Sequence, residues 1–133
     1  MSILFDAGEI NGMKVSNRFV RAATWEGMAA DDGGCTAKLT KLMVALAEGG
    51  VGLIISSHAF VSPEGQGGPW QLGIHRDELV PGLQSMTQAV HDRGAKLCCS
   101  WRMRAIFHLP SSPGRSPWHP QMSQGLPKGC AAR

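Results

Sequence analysis

The chain has 133 residues, of which 43% are hydrophobic, and a formal net charge of +3. This length allows one domain with a buried core, and the composition is that of a soluble globular protein. Apolar runs stay well below the roughly 20 residues that a membrane helix needs. The N-terminus also lacks a basic stretch followed by an apolar one. These features predict a cytoplasmic protein without a membrane partner.

The charge is unevenly distributed. Residues 1–100 hold eight basic and ten acidic residues, whereas residues 101–133 hold five basic residues and no acid. Five of the eight prolines also fall in that last stretch. Composition therefore divides the chain near residue 100.

The cysteines do not have the spacing of metal ligands, so we predict no metal site. Cys98 and Cys99 fall in an apolar segment and are interpreted as small core residues in a reducing compartment. The other two are Cys35 and Cys130.

The first third of the chain predicts a hairpin, a strand and a helix. Residues 4–15 alternate around an Asn-Gly pair, which is typical of a β-hairpin. A strand is expected near residues 18–24, and it ends in three small residues. Apolar residues at helical spacing then predict a helix near 36–48.

A strand near residues 51–57 is predicted to be buried on both faces, because its apolar run is continuous and bounded by glycines. Residues 61–73 are rich in Gly and Pro, which favours a surface loop over a site. A second amphipathic helix near 81–93 and a strand near 95–99 follow.

Alternating strands and helices indicate a parallel sheet with right-handed crossovers. Two architectures fit, a doubly wound sheet and a (β/α)8 barrel. No Gly-x-Gly-x-x-Gly follows the first parallel strand, which favours the barrel. The predicted fold class is α/β: residues 1–99 form the N-terminal portion of a (β/α)8 TIM barrel preceded by a β-hairpin, and residues 100–133 form an irregular tail.

Several motifs resemble the N-terminal part of the old yellow enzyme family. They are, in chain order, Asn17-Arg18-Phe19-Val20, Asp32-Gly33, residues 46–55, Val61-Ser62-Pro63-Glu64-Gly65 and residues 89–96. The resemblance implies an FMN-dependent NAD(P)H oxidoreductase that passes hydride from reduced flavin to an activated alkene. It also implies a (β/α)8 barrel that holds FMN at the carboxyl ends of its strands.

Six residues are similar to positions that lie beside the flavin in this family: Ala22, Ala23, Thr24, Trp25, Ser57 and His58. Trp25 stands where the family usually has Thr, Cys or His, and it offers only an indole N–H donor. Without the resemblance, a tight packing site would be the favoured interpretation of residues 22–24, and an ordinary loop histidine that of His58.

Residues 100–105 read Ser-Trp-Arg-Met-Arg-Ala, where the family typically continues Gln-Leu-x-His-x-Gly. Deleting the first C from CAG CTG GCG CAT GCG GGC gives AGC TGG CGC ATG CGG GC, which encodes the observed residues. We therefore predict that residues 100–133 are an out-of-frame, disordered tail. A basic nucleic-acid-binding tail is the alternative, but the tail contains no recognisable nucleic-acid module.

The predicted break at residue 100 removes most of the site that the resemblance implies. The family's substrate-binding His/Asn or His/His pair and proton-donating Tyr lie beyond the match, and this chain has no tyrosine. The catalytic residues are therefore unknown, and the fragment is expected to be inactive alone. The expected partner of the parent enzyme is a small molecule with an activated C=C bond, and no nucleic acid. A small non-enzymatic protein and a phosphate-binding barrel of different chemistry remain as alternatives.

The frameshift prediction is tested on the gene. Restoring one C before codon 100 should recover Gln-Leu-x-His-x-Gly and a longer open frame encoding further barrel strands. A stop codon within a few triplets of the restored frame would contradict the prediction.

Overall fold

The architecture is α/β and is described over residues 2–101 by a computed structural model. Its elements are β1 Gly8–Ile10, β2 Met13–Val15, β3 Val20–Arg21, α1 Ala37–Glu48, β4 Leu53–Ala59, α2 Val80–His91 and β5 Lys96–Trp101. Single 3-10 turns lie at Ile3–Phe5, Pro63–Gly65 and Asp77–Leu79. The predicted tail lies outside the described residues, apart from Ser100 and Trp101.

The strands β1 and β2 form an antiparallel hairpin in which Gly8 pairs with Val15. Asn11 and Gly12 connect them with φ angles of 45° and 86°, the positive values that a type I′ turn requires. The hairpin is shorter than the predicted range of 4–15, because Ile3–Phe5 form a 3-10 turn.

The strands β3, β4 and β5 form a parallel sheet in that order. Val20 pairs with Leu53, and Leu53 pairs in turn with Lys96. The parallel βαβαβ order that the sequence predicts is therefore confirmed.

Both predicted helices are present and cover the sheet with their apolar faces. Thr36 caps α1 by accepting a hydrogen bond from the backbone N–H of Leu39, at 3.2 Å. The buried core comprises residues of α1, β4 and α2 together with neighbouring loop residues, including Leu39, Met43, Ala47, Ile54, Ala59, Met86 and Val90. Helix α2 ends two residues earlier than predicted, and the chain turns towards β5 at Gly94, which has a φ of 81°.

The strand predicted near 18–24 is present but much shorter than predicted, because β3 has only two residues. In a parallel ladder with this register, the next rung would join the N–H of Ala23 to the carbonyl of Ile55. The guanidinium of Arg21 donates to that carbonyl instead, at 2.9 Å. Ala22 to Trp25 therefore follow the strand rather than form its end.

The second parallel strand continues beyond its predicted end at residue 57. The register between β4 and β5 shifts between Ile55 and His58, which places two residues of β4 opposite one of β5 and forms a β-bulge. Ser57 and His58 therefore lie within β4, not at its close.

The third parallel strand extends to Trp101, past the predicted boundary at residue 99. Cys98 and Cys99 are exposed, so their interpretation as core residues is wrong. The reason is that β5 is at the edge of the described sheet. Over residues 2–101 no helix is long and apolar enough to cross a membrane.

The core position of Met43 generates a stability prediction. Met43 is fully buried, so Met43→Ala should lower the free energy of unfolding by about 2–5 kcal/mol through lost burial and a residual cavity. Urea denaturation followed by circular dichroism measures this change. Lys41→Ala, on the exposed side of the same helix, is the control and should change stability by less than about 0.5 kcal/mol. Equal effects of both substitutions would contradict the described packing.

Candidate functional site at the carboxyl edge of the sheet

Parallel pairing brings two of the predicted segments to one edge of the sheet. Arg21 pairs with Ile54, so the residues that follow β3 extend alongside the second half of β4. Ligands of open and closed α/β sheets bind at this carboxyl edge. The geometry therefore brings residues 22–25 and the pair Ser57-His58 to the same end of the molecule.

Arg21 fixes the backbone where β3 ends. Besides its bond to Ile55, its guanidinium contacts the carbonyl of Thr24 at 3.5 Å and forms an ion pair with Glu26. The two side chains of the ion pair are only 15% and 5% exposed. One largely buried cation thus connects the end of β3, the segment after it and the neighbouring strand.

Asn17 fixes the backbone at the start of β3. Its amide donates to the carbonyl of Gly50 at 2.6 Å, and its side-chain oxygen accepts from the N–H groups of Phe19 and Gly52 at 3.0 and 3.2 Å. A Cβ at Gly52 would lie 2.9 Å from the backbone oxygen of Asn17, so only glycine fits there. The strand of two residues is therefore held by side chains at both ends.

The segment after β3 is open to solvent. Ala22, Ala23 and Thr24 are exposed, and the Thr24 hydroxyl donates to the carbonyl of Ala22 at 3.1 Å. Trp25 is 48% exposed, and its indole lies over Gly27, which has a φ of 62°. Small side chains and one broad ring therefore form a surface that a planar ligand can approach closely.

The two predicted residues of β4 differ in exposure. Ser57 is buried, and its carbonyl accepts from the hydroxyl of Ser56 at 3.0 Å. His58 is half-buried, and its carbonyl accepts from the side-chain amide of Gln71 at 3.0 Å. Ser57 thus supports the edge from within, whereas His58 is accessible to a ligand in part.

Gln71 and the pairing of Arg21 with Glu26 were not predicted from the sequence. Gln71 is almost fully buried and also accepts from the N–H of Gly67 at 2.6 Å, so it holds the loop after β4 against the strand end. The available signal was a polar residue between Trp70 and Leu72. For Arg21, it was a charge between Val20 and Ala22 within a predicted strand, with an acid five residues later.

The loop after β4, which was expected only to cover a site, is anchored to the loop after β3. The N–H of Gly73 donates to the carbonyl of Gly33 at 2.9 Å, and Arg76 forms an ion pair with Asp32 at 2.5 Å. His75 stacks on Phe60 with 4.7 Å between ring centroids. These contacts keep both loops at the carboxyl side of the sheet.

Two thiols on the helix side of the sheet are partly desolvated: that of the half-buried Cys35 and, although the residue is exposed, that of Cys99. Burial raises the pKa of the Cys35 thiol, and its hydrogen bond to Thr40 lowers it in part. Burial also raises the pKa of the Cys99 thiol, opposed by a hydrogen bond with Ser56. Both thiols are therefore weaker nucleophiles at neutral pH than a free cysteine.

This combination defines a class: a parallel βαβαβ unit of an α/β fold, with an exposed carboxyl edge. The NADH:flavin oxidoreductase / NADH oxidase family model matches residues 3–105. The chain belongs to this FMN-dependent family, whose reductant is a nicotinamide nucleotide.

Individual relatives support the same family. The chain is 36% identical over 95 residues to an NADH oxidase of Thermoanaerobacter brockii, covering 71% of this chain and 15% of that protein. It is 33% identical over 98 residues to a 4,4'-dithiodibutanoate disulfide reductase of Rhodococcus erythropolis, covering 69% and 22%. The solved old yellow enzyme homologue of Zymomonas mobilis superposes with a TM-score of 0.68 at 32% identity, covering 74% of this chain and 27% of that one. The chain thus spans less than a quarter of the length of these two curated relatives.

The described residues fit one wall of an FMN site. The exposed residues 22–24 leave room for a flat ring system beside the backbone. A phosphate group needs a cation or a row of N–H donors. At this edge the buried guanidinium of Arg21 is already engaged by Glu26 and by the carbonyl of Ile55. Within the part of the chain that the structure describes, this edge therefore leaves room for a ring system but offers no ready group for a phosphate.

The buried ion pair generates a second stability prediction. Arg21→Met should lower the free energy of unfolding by about 3–5 kcal/mol, because it leaves the carboxylate of Glu26 buried without a partner. Adding Glu26→Gln should recover part of that loss, as measured by urea denaturation of both variants.

The matched control is the exposed pair of Arg93 and Glu48, whose side chains are 47% and 54% exposed. Arg93→Met should cost at most about 1 kcal/mol. If Arg21→Met lowered the free energy of unfolding no more than Arg93→Met does, Arg21 would not hold the edge.

Proposed function

We propose that this chain is the N-terminal portion of an FMN-dependent NAD(P)H oxidoreductase of the old yellow enzyme type. The observation that carries the proposal is the parallel βαβαβ unit, in which small exposed residues follow β3 beside β4. In a (β/α)8 barrel of this kind, β3, β4 and β5 would be the first three of eight strands.

Each predicted residue has a distinct part in the proposed site. Ala22 and Ala23 would let the backbone approach the flavin ring, while Thr24 and Trp25 would border it with a hydroxyl and an indole N–H. His58 would face the ring from β4, with Ser57 beneath it in the packed strand. When bound, FMN would supply hydride transfer from NAD(P)H to a small molecule with an activated C=C bond.

Arg21 and Glu26 support this wall without contacting the ligand. Their ion pair and the bond from Arg21 to Ile55 set the direction in which residues 22–25 leave the sheet. A flat ligand needs that backbone held in place, since a loop that must be ordered on binding reduces affinity.

The proposal extends to the incompleteness of the chain. A barrel of this type takes about 250 residues, and its phosphate-binding loops follow strands 7 and 8. The wall described here must offset at least about 4 kcal/mol for immobilising a ligand without those loops. The fragment is therefore proposed to be inactive alone.

The corresponding experiment compares two proteins, the 133-residue chain and the product of the gene with one C restored before codon 100. The chain should purify without stoichiometric FMN and show no NADPH-dependent alkene reduction. The restored product should bind FMN, detected by its absorbance and by quenching of flavin fluorescence.

Micromolar FMN binding by the 133-residue chain would contradict the proposed incompleteness of its site. An open frame that yields a folded protein without flavin affinity would contradict the proposed function itself.

A further inference from the structure

The outer edge of β5 carries hydrogen-bonding groups that no strand within residues 2–101 pairs with. In a parallel ladder, alternate residues bond to opposite neighbours. The N–H of Lys96 donates to the carbonyl of Gly52 at 3.0 Å, and the N–H of Ser100 points to the Ser56 hydroxyl at 3.4 Å, so the even-numbered residues face β4. The backbone groups of Leu97, Cys99 and Trp101 therefore point outwards.

The same three residues share one face of the strand. Leu97 and Cys99 line a cavity of about 140 Å³ together with Leu83 and Met86 of α2, so their side chains face that helix. Trp101 follows on the same face by the two-residue period of a strand and is 73% exposed. The edge thus combines outward backbone groups with an apolar, partly uncovered side-chain row.

We propose that a second copy of this chain pairs antiparallel with β5 around a two-fold axis at Cys99. A two-fold axis in an antiparallel ladder passes through a pair of identical residues, because hydrogen-bonded and non-bonded pairs alternate. If the axis passes through Cys99, then Leu97, Cys99 and Trp101 all form hydrogen-bonded pairs with one another across the two copies. An axis through Leu97 or Trp101 would not pair all three. Leu97 then lies opposite Trp101 of the second copy, and Cys99 lies opposite its own counterpart.

The strand is self-complementary in this register. Each of the three pairs exchanges two backbone hydrogen bonds. Both flanking pairs place Leu97 against Trp101, an aliphatic–aromatic contact that favours cross-strand pairing. Residues Leu97 to Trp101 carry no charge, and Lys96, the charged residue of β5, lies outside the paired stretch. The charges nearest to this stretch are Lys96 before it and Arg102 after it, so the uncharged edge open to association with another strand is the stretch Leu97 to Trp101 itself.

Oxidative cross-linking tests the register. Opposed residues in a hydrogen-bonded antiparallel pair have Cα atoms about 5.5 Å apart, within the range of about 4.4–6.8 Å that disulfides span. The background is the full chain with Cys35→Ser and Cys130→Ser, which keeps only Cys98 and Cys99. Copper-phenanthroline takes two electrons from two thiols, which lose their protons and form one disulfide. A covalent dimer should form, should persist in Cys98→Ser and should vanish in Cys99→Ser.

A charge test measures the non-covalent dimer by sedimentation velocity over a range of concentrations. Cys99→Glu places like charges at the axis and should weaken dimerisation by at least about tenfold. Cys98→Glu is the control, because Cys98 would lie opposite Ser100 of the second copy, and it should weaken the dimer far less. Circular dichroism verifies that both variants fold, and if either does not, the cross-linking pair decides alone.

Monomers at every concentration would overturn the proposal, and would instead favour pairing of this edge within the chain through residues 102–133. Open-ended aggregates, or a cross-link that needs Cys98 rather than Cys99, would overturn it as well.

Discussion

The contacts of the largely buried Arg21 guanidinium with Glu26 and Ile55 are the interactions on which the carboxyl edge depends. β3 contributes two residues to the sheet, too few for backbone pairing alone to fix the position of this strand. Arg21 occupies the carbonyl of Ile55 at one end, and Asn17 connects to Gly50 and Gly52 at the other. The register of β3 on β4 is therefore set largely by side chains, and the direction of residues 22–25 follows from that register.

The ion pair of Arg21 and Glu26 fixes the conformation of this edge more than it stabilises the fold. Desolvation of Arg21 and Glu26 offsets much of their attraction, so the pair contributes little net stability while its loss leaves an uncompensated charge. Such a pair suits a segment that keeps one conformation while its side chains stay exposed. Apolar residues of the same size would leave the carbonyls of Ile55 and Thr24 without the donors that Arg21 provides.

Those features that depend on periodicity could be predicted from the sequence. Both helices follow from apolar spacing, and the helix α1 begins at a capping threonine, so their positions were predicted within about two residues. The end of β3 could not be predicted, because the register on β4 brings the Arg21 guanidinium to the carbonyl of Ile55, and the sequence does not show that register. The bulge that keeps Ser57 and His58 inside β4 depends on the same kind of tertiary information. Gln71 escaped notice because nothing in its neighbourhood indicates which carbonyl it binds.

The incorrect interpretation of Cys98 and Cys99 follows from the same limit. Small apolar residues in a run of this kind are typical of a strand with neighbours on both edges, and β5 has such a composition. Over the described residues it has one neighbour, so side chains suited to a covered strand are left at an edge. A barrel would satisfy that edge with its next strand. In the 133-residue chain a second copy offers matching groups, because the alternation that directs Leu97, Cys99 and Trp101 outwards is unchanged by a two-fold rotation. The edge that would belong to barrel closure in the proposed parent enzyme is thus also the edge that the proposed dimer uses.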